Sequence, residues 1–259
     1  MGQVWCRFAS DGRESAGLVA DGCVEEVDGT PFGAYRKTGR RSRLEDVKLL
    51  PPVYPGTFYA DGSNYRNNVM AKGKGETPKF PDAPHVGYRA NSALIGTDDA
   101  IVKPADAGPH FQYECELVAV IGKTAKNVSA KEAEACIFGW TIGNDLTERT
   151  WHKSDVTNIR SKNSDTFKPM GPWIVTGVPL ESMVTRVRLN GELVHSFPTG
   201  NMLFGPGEVI SVISRYNTLH PGDVVWLGTD EQPRDLNPGD VIEAEITGIG
   251  MLRNTVVAG

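Results

Sequence analysis

Residues 112–122, QYECELVAVIG, place two carboxylates at the entrance of an apolar run. Aliphatic and β-branched residues that end at a glycine are typical of a buried strand, and side chains alternate faces along a strand. Glu114 and Glu116 should therefore point the same way, with Cys115 on the opposite face. Two like charges on one face repel each other unless a cation lies between them or one carboxyl is protonated. A solvated strand end is the simpler interpretation, and half of a site for a hard divalent ion is the alternative.

Composition and charge exclude several classes of protein. The 259 residues are 39% hydrophobic and 23% charged, which is typical of a globular protein with enough material for a core. The net charge is −5, whereas nucleic-acid binding depends on concentrated Lys and Arg, so no nucleic-acid partner is expected. The densest basic patch, residues 36–43 (RKTGRRSR), is interpreted as a solvated loop. No segment approaches the roughly 18 consecutive apolar residues of a membrane span, so no membrane partner is expected either.

The cysteines bear on the cellular compartment. They are far apart and show no spacing typical of metal ligands or of a redox pair. This pattern fits reduced thiols in a cytoplasmic protein, and the cysteines are interpreted as core residues. They are Cys6, Cys23, Cys115 and Cys136.

The chain divides near residue 50. Residues 1–50 contain short alternating runs between Gly and Asp turns, which indicate a small strand-rich N-terminal unit. Pro51 and Pro52 then make a stiff, extended connection to a larger unit at residues 51–259. Within it, residues 67–87 are rich in Gly, Lys and Pro and lack apolar periodicity. A loop of this length in a compact domain is usually functional or disordered, and the functional version is a mobile lid.

Short runs rich in Val and Ile dominate from residue 91 onward and predict strands. One of these runs is EVISVIS, residues 208–214. Asn190-Gly191 is a hairpin turn signal, so residues 186–189 and 192–195 should pair.

Helical signals are scarce. Ser129, followed three residues later by Glu132, forms a capping box and predicts one short helix over residues 129–136. Together with the many short strands, this predicts a mostly β, α+β fold with few short helices.

The chain carries no nucleotide-binding glycine motif, no G-x-S-x-G elbow and no H-E-x-x-H helix. Five other motifs follow one another between about residue 57 and the C-terminus. They are Tyr113-Glu114-x-Glu116-Leu117-x-x-Val120-Ile121-Gly122, Gly143-Asn144-Asp145-Leu146-Thr147-x-Arg149, Lys162-x-x-Asp165-Thr166-Phe167-x-x-x-Gly171-Pro172, Thr218-Leu219-x-Pro221-Gly222-Asp223 and Gly228-Thr229. In this order and spacing, the motifs resemble the fumarylacetoacetate hydrolase family.

The resemblance implies a mixed β-sandwich roll and a divalent cation, Mg²⁺ or Mn²⁺, held by Glu114, Glu116 and Asp145. Three oxygen ligands leave about three octahedral positions open, enough for a 2-oxo acid to chelate through its carboxylate and its keto oxygen. Such a chelate stabilises the enolate that forms when a neighbouring C–C or C–H bond breaks. Lys162 matches the family's active-site lysine and would place a positive charge beside that oxyanion.

Other positions match residues of the family that lie near the substrate. They include Arg149 and Thr229, and Arg89 keeps the charge, but not the shape, of the family's usual lysine. Tyr65 and Asn68 lie in the lid motif and are predicted to contact the substrate. The family resemblance also implies a homodimer. The expected small-molecule partner is an oxo-acid substrate.

The lid motif departs from the pattern of the hydrolytic members. Those members carry a His and a Glu that activate the attacking water, whereas this chain has Asn68 and Ala71. Asn can orient a water molecule but cannot take its proton. A further departure is Gly87, which stands where the family commonly has Phe. Decarboxylation or keto–enol isomerisation needs no activated water and is therefore the predicted reaction.

Two alternatives stay open. Hydrolysis of an acylpyruvate or of a fumarylacetoacetate-like diketone requires that His85 or His152 replace the missing base, since lid closure can bring distant residues into a site. A chain can also keep the fold of its family, lose the activity and retain only metal or oxo-acid binding. The presence of all three carboxylates together with Lys162 and Arg149 argues against this second alternative.

Overall fold

The computed structural model describes residues 2–72 and 79–259, without the side chain of Lys72. It consists mostly of strands with a few short helices, which confirms the α+β fold class. The helices are α1 (Arg66–Lys72), α2 (Ala130–Glu134), α3 (Arg149–His152), α4 (Ile159–Asn163) and α5 (Pro206–Tyr216), and short 3₁₀ helices occupy Leu44–Asp46, Asn91–Ala93 and Leu180–Ser182. The strands are β1 (Val4–Ser10), β2 (Arg13–Ala20), β3 (Cys23–Gly29), β4 (Tyr35–Arg43), β5 (Lys48–Leu50), β6 (Phe58–Gly62), β7 (His85–Tyr88), β8 (Leu94–Ile95), β9 (Ala100–Lys103), β10 (Phe111–Gln112), β11 (Cys115–Ile121), β12 (Ile137–Asn144), β13 (Thr147–Glu148), β14 (Lys168–Val175), β15 (Val184–Leu189), β16 (Glu192–Pro198), β17 (Val224–Trp226), β18 (Val241–Ile246) and β19 (Gly250–Ala258).

Two large sheets form the architecture of the described residues. The first runs in the order β4-β3-β2-β1-β14-β12-β11-β17-β6-β7, with β5 paired to β1 and β8 paired to β14. The second runs in the order β16-β15-β18-β19-β9, and β10 pairs with β13. Most neighbours are antiparallel, but β8 and β14, β6 and β17, and β9 and β19 are parallel. Both large sheets are therefore mixed.

Strand β11 lies inside the first sheet and is buried along its whole length. On one face Leu117 and Ile121 join the main core, to which the second sheet and α5 also contribute. On the other face Val118 and Val120 pack with Trp226 in a second core. Burial of both faces removes the polar alternation of a half-exposed strand, and this is why β11 has a continuous apolar sequence.

Two local signals in the sequence are confirmed. Strands β15 and β16 form the predicted hairpin, and its turn residues Asn190 and Gly191 have φ angles of 54° and 81°. A two-residue type I′ turn requires this left-handed conformation at both positions. At the start of α2, the hydroxyl of Ser129 accepts the N–H of Glu132, and the carboxylate of Glu132 accepts the N–H of Ser129.

Residues 208–214, which were predicted to form a strand, are part of helix α5. The prediction was wrong because the preference of Val and Ile for strands is an average, which burial in a particular position overrides. Pro206 begins the helix, where its fixed φ is already helical. The apolar residues then repeat with the helical period and share one buried face. They are Val209, Ile210 and Ile213.

The N-terminal strands extend the first sheet. Strand β1 pairs with β14 through Trp5 and Ile174, and β2, β3 and β4 continue the sheet outward. The basic residues 36–43 lie in β4, so their interpretation as a loop was wrong. Strand β4 is at the edge of the sheet, and its basic side chains form ion pairs with acidic side chains of β3. Charged side chains on an edge strand discourage pairing with other chains.

The predicted lid, residues 67–87, lies partly outside the described residues. Helix α1 covers its beginning and β7 its end, whereas residues 73–78 are not described. The first turn of α1 is held by Asp230, whose carboxylate accepts the backbone N–H of Asn67 at 3.1 Å and its side-chain amide at 2.9 Å. This anchor joins α1 to the segment that follows β17.

All four cysteines are free thiols, and the side chains of Cys6, Cys115 and Cys136 are buried. Burial raises the pKa of Cys6 to about 12, which keeps it in the thiol form. Across residues 2–72 and 79–259, no helix has the length and mean hydropathy needed to cross a membrane.

Candidate metal centre

Glu114, Glu116 and Asp145 meet at one end of two paired strands. Glu114 directly precedes β11, Glu116 lies within it, and Asp145 directly follows β12. The antiparallel register pairs Glu116 with Gly143, and the N–H of Asp145 donates to the carbonyl of Glu114 at 2.8 Å. One oxygen from each carboxylate lies within 4.8 Å of the other two. The register of this strand pair therefore brings the three predicted metal ligands together.

All three carboxylates are buried, with 6% of Glu114, 3% of Glu116 and 2% of Asp145 exposed. Lys162 of α4 lies between two of them, because its Nζ is 2.7 Å from Oε2 of Glu114 and 2.6 Å from Oδ2 of Asp145. Arg149, at the start of α3, donates from Nη2 to Oε1 of Glu114 at 2.7 Å. The acids are therefore balanced by cations from two short helices.

Asp145 binds two further cations. Arg89 donates from Nε to Oδ1 at 3.0 Å and from Nη2 to Oδ2 at 2.8 Å. Lys168, which is completely buried, places its Nζ 2.8 Å from Oδ1. The same Nζ donates to the carbonyls of Leu146 at 3.1 Å and Phe167 at 2.8 Å, so three acceptors match the three N–H groups of an ammonium. Sequence reasoning missed Lys168, although a charged residue at the start of the otherwise apolar β14 was a signal.

Burial and neighbouring charges act differently on these groups. Burial raises the pKa of Glu116 well above its ordinary value, and the neighbouring carboxylates raise it further. Burial alone would also raise the pKa of Asp145, but the positive charges of Arg89 and the two lysines hold it well below its ordinary value. Burial lowers the pKa of Lys168 to about 7, although Asp145 acts in the opposite direction.

The donor set fits a hard divalent ion. Carboxylate oxygens are the ligands that Mg²⁺ and Mn²⁺ prefer, and three of them converge here. Oε2 of Glu116 accepts a hydrogen bond from a neutral donor, the N–H of Gly228, at 2.8 Å. A divalent ion bound beside Glu116 would supply the positive charge that this buried carboxylate needs to stay ionised.

The three carboxylates line a cavity of about 370 Å³. The wall of this cavity contains most of the residues that were predicted from the sequence to form the site. It also contains both histidines that were proposed as a replacement base. Those in its wall are Asn68, Arg89, Arg149, Lys162 and Thr229, with His85 and His152.

Tyr65 is not among the described residues that line this cavity. It is completely buried, and its O–H donates to the carbonyl of Thr199 at 2.6 Å. Its ring packs edge to face against Phe197, with 5.7 Å between the ring centroids. Both the ring and the hydroxyl of Tyr65 are used in packing, and a contact of Tyr65 with the substrate stays a prediction.

Glu231 is a buried residue that no local sequence pattern assigned to the site. Its Oε1 accepts the N–H of Cys115 at 3.1 Å, and its backbone carbonyl accepts Nδ2 of Asn68 at 3.2 Å. Burial raises the pKa of Glu231 well above its ordinary value. Glu231 thus joins α1 to the start of β11 and fixes the amide of Asn68 at the cavity wall.

Asp61 also belongs to the cavity wall and is a candidate for the missing base. It is 2% exposed, and burial raises its pKa to about 7. However, side chains alternate along β6, and its neighbour Ala60 shares the face of Trp226 and Val118. Glu116 lies on that same face, so the carboxylate of Asp61 points to the opposite one. Its oxygens are closed off from solvent, and Asp61 is therefore not a suitable base for this cavity.

Two family models match the chain. The model described as "Fumarylacetoacetate (FAA) hydrolase C-terminal" matches residues 57–257, which is more than half of the chain. The model described as "Rv2993c-like, N-terminal" matches residues 5–52.

Similar curated proteins carry different names. Protein Rv2993c of Mycobacterium tuberculosis is 37% identical over 90% of this chain and 88% of its own length. The 2,4-didehydro-3-deoxy-L-rhamnonate hydrolase of Sphingomonas sp. (strain SKA58) is 32% identical over 97% of this chain and 95% of its own length. The 4-hydroxyphenylacetate degradation bifunctional isomerase/decarboxylase of Salmonella dublin is 35% identical over 78% of this chain and 47% of its own length.

Solved structures share the whole fold. The 2-hydroxyhepta-2,4-diene-1,7-dioate isomerase of Mycobacterium marinum is 34% identical, with a TM-score of 0.89 over 99% of this chain and 98% of its own. The maleylpyruvate hydrolase of Sphingobium sp. SYK-6, solved with a manganese(II) ion and pyruvate, is 23% identical with a TM-score of 0.79 over 99% of each chain, a likeness that shows the fold alone. From the family model and these relatives, the chain belongs to the fumarylacetoacetate hydrolase family.

Proposed function

We propose that this chain is a divalent-metal-dependent enzyme that acts on a 2-oxo or 2,4-dioxo carboxylic acid, by decarboxylation or keto–enol isomerisation. The observation that carries the proposal is the buried group of Glu114, Glu116 and Asp145, whose oxygens lie within 4.8 Å of one another. Relatives named as isomerase, isomerase/decarboxylase and hydrolase support this class of chemistry. Mg²⁺ and Mn²⁺ are the expected ions because all three donors are carboxylate oxygens.

The charge of the site favours an anionic substrate. When bound, a divalent ion polarises an oxo group and acts as the electron sink for breaking the neighbouring bond. Within the described residues, Arg89, Arg149 and Lys162 pair with Glu114 and Asp145. Lys168, whose pKa burial lowers to about 7, also contacts Asp145. These groups offset the charge of the carboxylates, so a bound divalent ion would leave the site positively charged. Unpaired buried charge is costly, and a substrate carboxylate offsets it. An oxo acid therefore fits this cavity better than a neutral ketone does.

Lys162 is the proposed catalytic residue. Its Nζ is held between Glu114 and Asp145, and its side chain lines the cavity. An ammonium fixed in a buried site stabilises the negative charge that develops on an oxo group as the adjacent bond breaks. Arg149 binds Glu114 and also donates from Nε to Gln112 at 3.1 Å, so it orients this carboxylate at the substrate cavity.

Asn68 is the residue that separates the candidate reactions. Because its Nδ2 donates to the carbonyl of Glu231, its Oδ1 is left as a hydrogen-bond acceptor. An amide oxygen can orient a water molecule but does not take its proton. We therefore favour reactions that need no activated water. Hydrolysis is the second candidate, supported by the positions of His85 and His152 in the cavity wall.

The reaction is tested with purified protein in Mg²⁺ or Mn²⁺, with products followed by NMR. We expect decarboxylation of oxaloacetate, or tautomerisation of an unsaturated 2-hydroxy dioate, to be faster than hydrolysis of acylpyruvates. Fast acylpyruvate hydrolysis that persists after both His85→Ala and His152→Ala would contradict the argument from Asn68.

The metal centre is tested separately by calorimetry. Glu116→Gln keeps the size of the side chain and removes a charged ligand. Mn²⁺ affinity should therefore fall by more than about 100-fold, which exceeds the usual effect of losing a residue that only hydrogen-bonds to a metal ligand. The exposed Glu181 supplies the matched control, and Glu181→Gln should leave the affinity unchanged. Equal affinity in the Glu116→Gln protein and the wild type would remove the metal-centre assignment.

A further inference from the structure

We propose that Glu231 is a positioning residue of the candidate metal centre, and that its carboxyl group fixes the backbone between the ligands Glu114 and Glu116. The inference rests on the metal centre of the proposed function and adds a residue that holds the ligands in place without itself binding the ion. Three observations carry the proposal: the alternation of hydrogen bonds along β11, the turn that ends β17, and the contacts on both edges of one peptide unit.

The hydrogen bonds of β11 alternate between its two antiparallel neighbours, β12 and β17. In such a ladder the N–H and C=O of one residue point to the same neighbouring strand, and those of the next residue point to the other. The carbonyl of Leu117 accepts the N–H of Leu227, and the N–H of Ile121 donates to the carbonyl of Asp223. Leu117 and Ile121 therefore face the β17 side. By the same period of two, the N–H of Cys115 faces that side as well.

Strand β17 ends before it reaches Cys115. Continuation of the register of this strand pair would place Thr229 opposite Cys115. The chain turns instead at Gly228, whose φ of 79° is left-handed and interrupts an extended strand. Oε1 of Glu231 then accepts the N–H of Cys115 at 3.1 Å. A side chain thus takes the place of the backbone acceptor that a longer β17 would supply.

The peptide unit between Glu114 and Cys115 is held on both edges. On one edge the carbonyl of Glu114 accepts the N–H of Asp145 at 2.8 Å. On the other edge the N–H of Cys115 donates to Glu231. This peptide unit lies between the ligands Glu114 and Glu116, and its first edge is bonded to the third ligand. The carboxyl group of Glu231 therefore completes the hydrogen bonds that fix the three ligands relative to one another.

The turn after β17 contacts a ligand at a second point. The N–H of Gly228 donates to Oε2 of Glu116 at 2.8 Å, three residues before Glu231. Cys115 and Glu231 are both buried, so removal of the carboxyl group leaves a buried N–H that must find another partner. We expect the backbone between the ligands to shift for this reason.

The test is Mn²⁺ binding to the full chain, measured by calorimetry. Glu231→Ala removes the acceptor but keeps the backbone carbonyl that binds Asn68, so this variant isolates the side chain. Its affinity for Mn²⁺ should fall about 10- to 100-fold, the usual effect of losing a residue that supports a metal ligand. Glu231→Leu fills more of the space without an acceptor and should show the same loss, so it replaces Glu231→Ala if that variant does not fold.

Glu231→Gln is the conservative variant. It keeps an oxygen that can accept the N–H of Cys115, and its affinity for Mn²⁺ should lie within about threefold of the wild-type value. Burial raises the pKa of Glu231 well above its ordinary value, which favours the neutral form, so the neutral amide is a close match.

The neighbouring Asp230 supplies the matched control. Its carboxylate holds α1 through Asn67, so Asp230→Ala loosens the lid helix and leaves the contact with β11 in place. The affinity of this variant for Mn²⁺ should stay within about threefold of the wild-type value. Thermal unfolding of the proteins without metal shows which variants are folded.

Three results would overturn the role of Glu231. They are wild-type affinity in a folded Glu231→Ala or Glu231→Leu protein, a Glu231→Gln protein as weak as these, and an equal loss in the Asp230→Ala protein. Each of them leaves the proposed function intact. If the wild type binds no Mn²⁺, the metal centre of the proposed function itself fails.

Discussion

Asp145 and Asp61 are equally buried, with 2% of each residue exposed, yet the pKa values of their carboxyl groups shift in opposite directions. Asp145 accepts contacts from Arg89, Lys162 and Lys168, so its pKa lies well below the ordinary value. Asp61 has no cationic partner within the described residues, and burial raises its pKa to about 7 although the backbone N–H groups of His85 and Gly62 act in the opposite direction. The partners of a buried acid, and not burial alone, therefore decide whether it is ionised.

The Asp61→Asn variant tests how a buried carboxyl group that has no cationic partner within the described residues affects stability. The pKa of Asp61 is about 7 in the fold and 3.8 ordinarily, so between these pH values the unfolded chain ionises while the folded chain keeps its proton. The contribution of Asp61 to the free energy of unfolding is therefore complete below about pH 4. It falls as pH rises to 7, by about 4 kcal/mol at most. Asn cannot ionise, so the variant should gain stability relative to wild type over this range.

The measurement is urea unfolding between pH 5 and pH 8. The exposed Asp46 supplies the control, because a substitution at an exposed position usually changes stability by less than about 0.5 kcal/mol. A constant difference between the Asp61→Asn protein and the wild type at every pH would contradict the assignment.

At the scale of elements, helix α5 shows how close packing overrides residue preferences. Its Val and Ile residues favour strands, yet they form the buried face of a helix that lies against α2. Gly207 permits the approach, since a Cβ there would lie 2.4 Å from the carbonyl oxygen of Ala130 and 2.8 Å from Cγ of Glu134. A backbone neighbour at that distance cannot move aside without shifting one of the helices.

Gly207→Ala is therefore expected to destabilise the protein. In an open helix the change gains about 1 kcal/mol, but the steric overlap with α2 should reverse the sign and leave a net loss of about 1–2 kcal/mol. Gly33→Ala is the control, because a Cβ on Gly33 meets nothing within 4 Å. Thermal unfolding of the three proteins measures the effect. A raised midpoint in the Gly207→Ala protein would show that α2 and α5 are not packed as described.

At the scale of the whole molecule, one sheet spans the two units that the sequence separates near residue 50. Strand β1 pairs with β14, and Trp5 packs into the second core with Ile174 and Trp226. The units at residues 1–50 and 51–259 remain predictions as independent domains, as do the homodimer and the cytoplasmic location. A single sheet argues that the two units depend on each other for stability.

Removal of residues 1–50 tests this dependence. The truncation exposes the edge of β14 and the apolar surface under Trp5, and an exposed apolar strand edge favours aggregation. We expect residues 51–259 to unfold at a lower temperature than the full chain and to form oligomers in size-exclusion chromatography with light scattering. The full chain, measured in parallel, reports its own oligomeric state. An equally stable, monodisperse truncated protein would support independent domains.

Features that depend on a few neighbouring residues or on family motifs could be predicted from the sequence alone. The fold class, the hairpin at Asn190-Gly191, the capping box at Ser129 and the acids of the candidate metal centre could be predicted, because turns, caps and motifs are local or recurrent. The contact of Lys168 with Asp145 and the packing of Tyr65 against Phe197 are known only from the folded structure. These outcomes depend on burial and on partners from distant strands and helices, which a linear pattern does not specify.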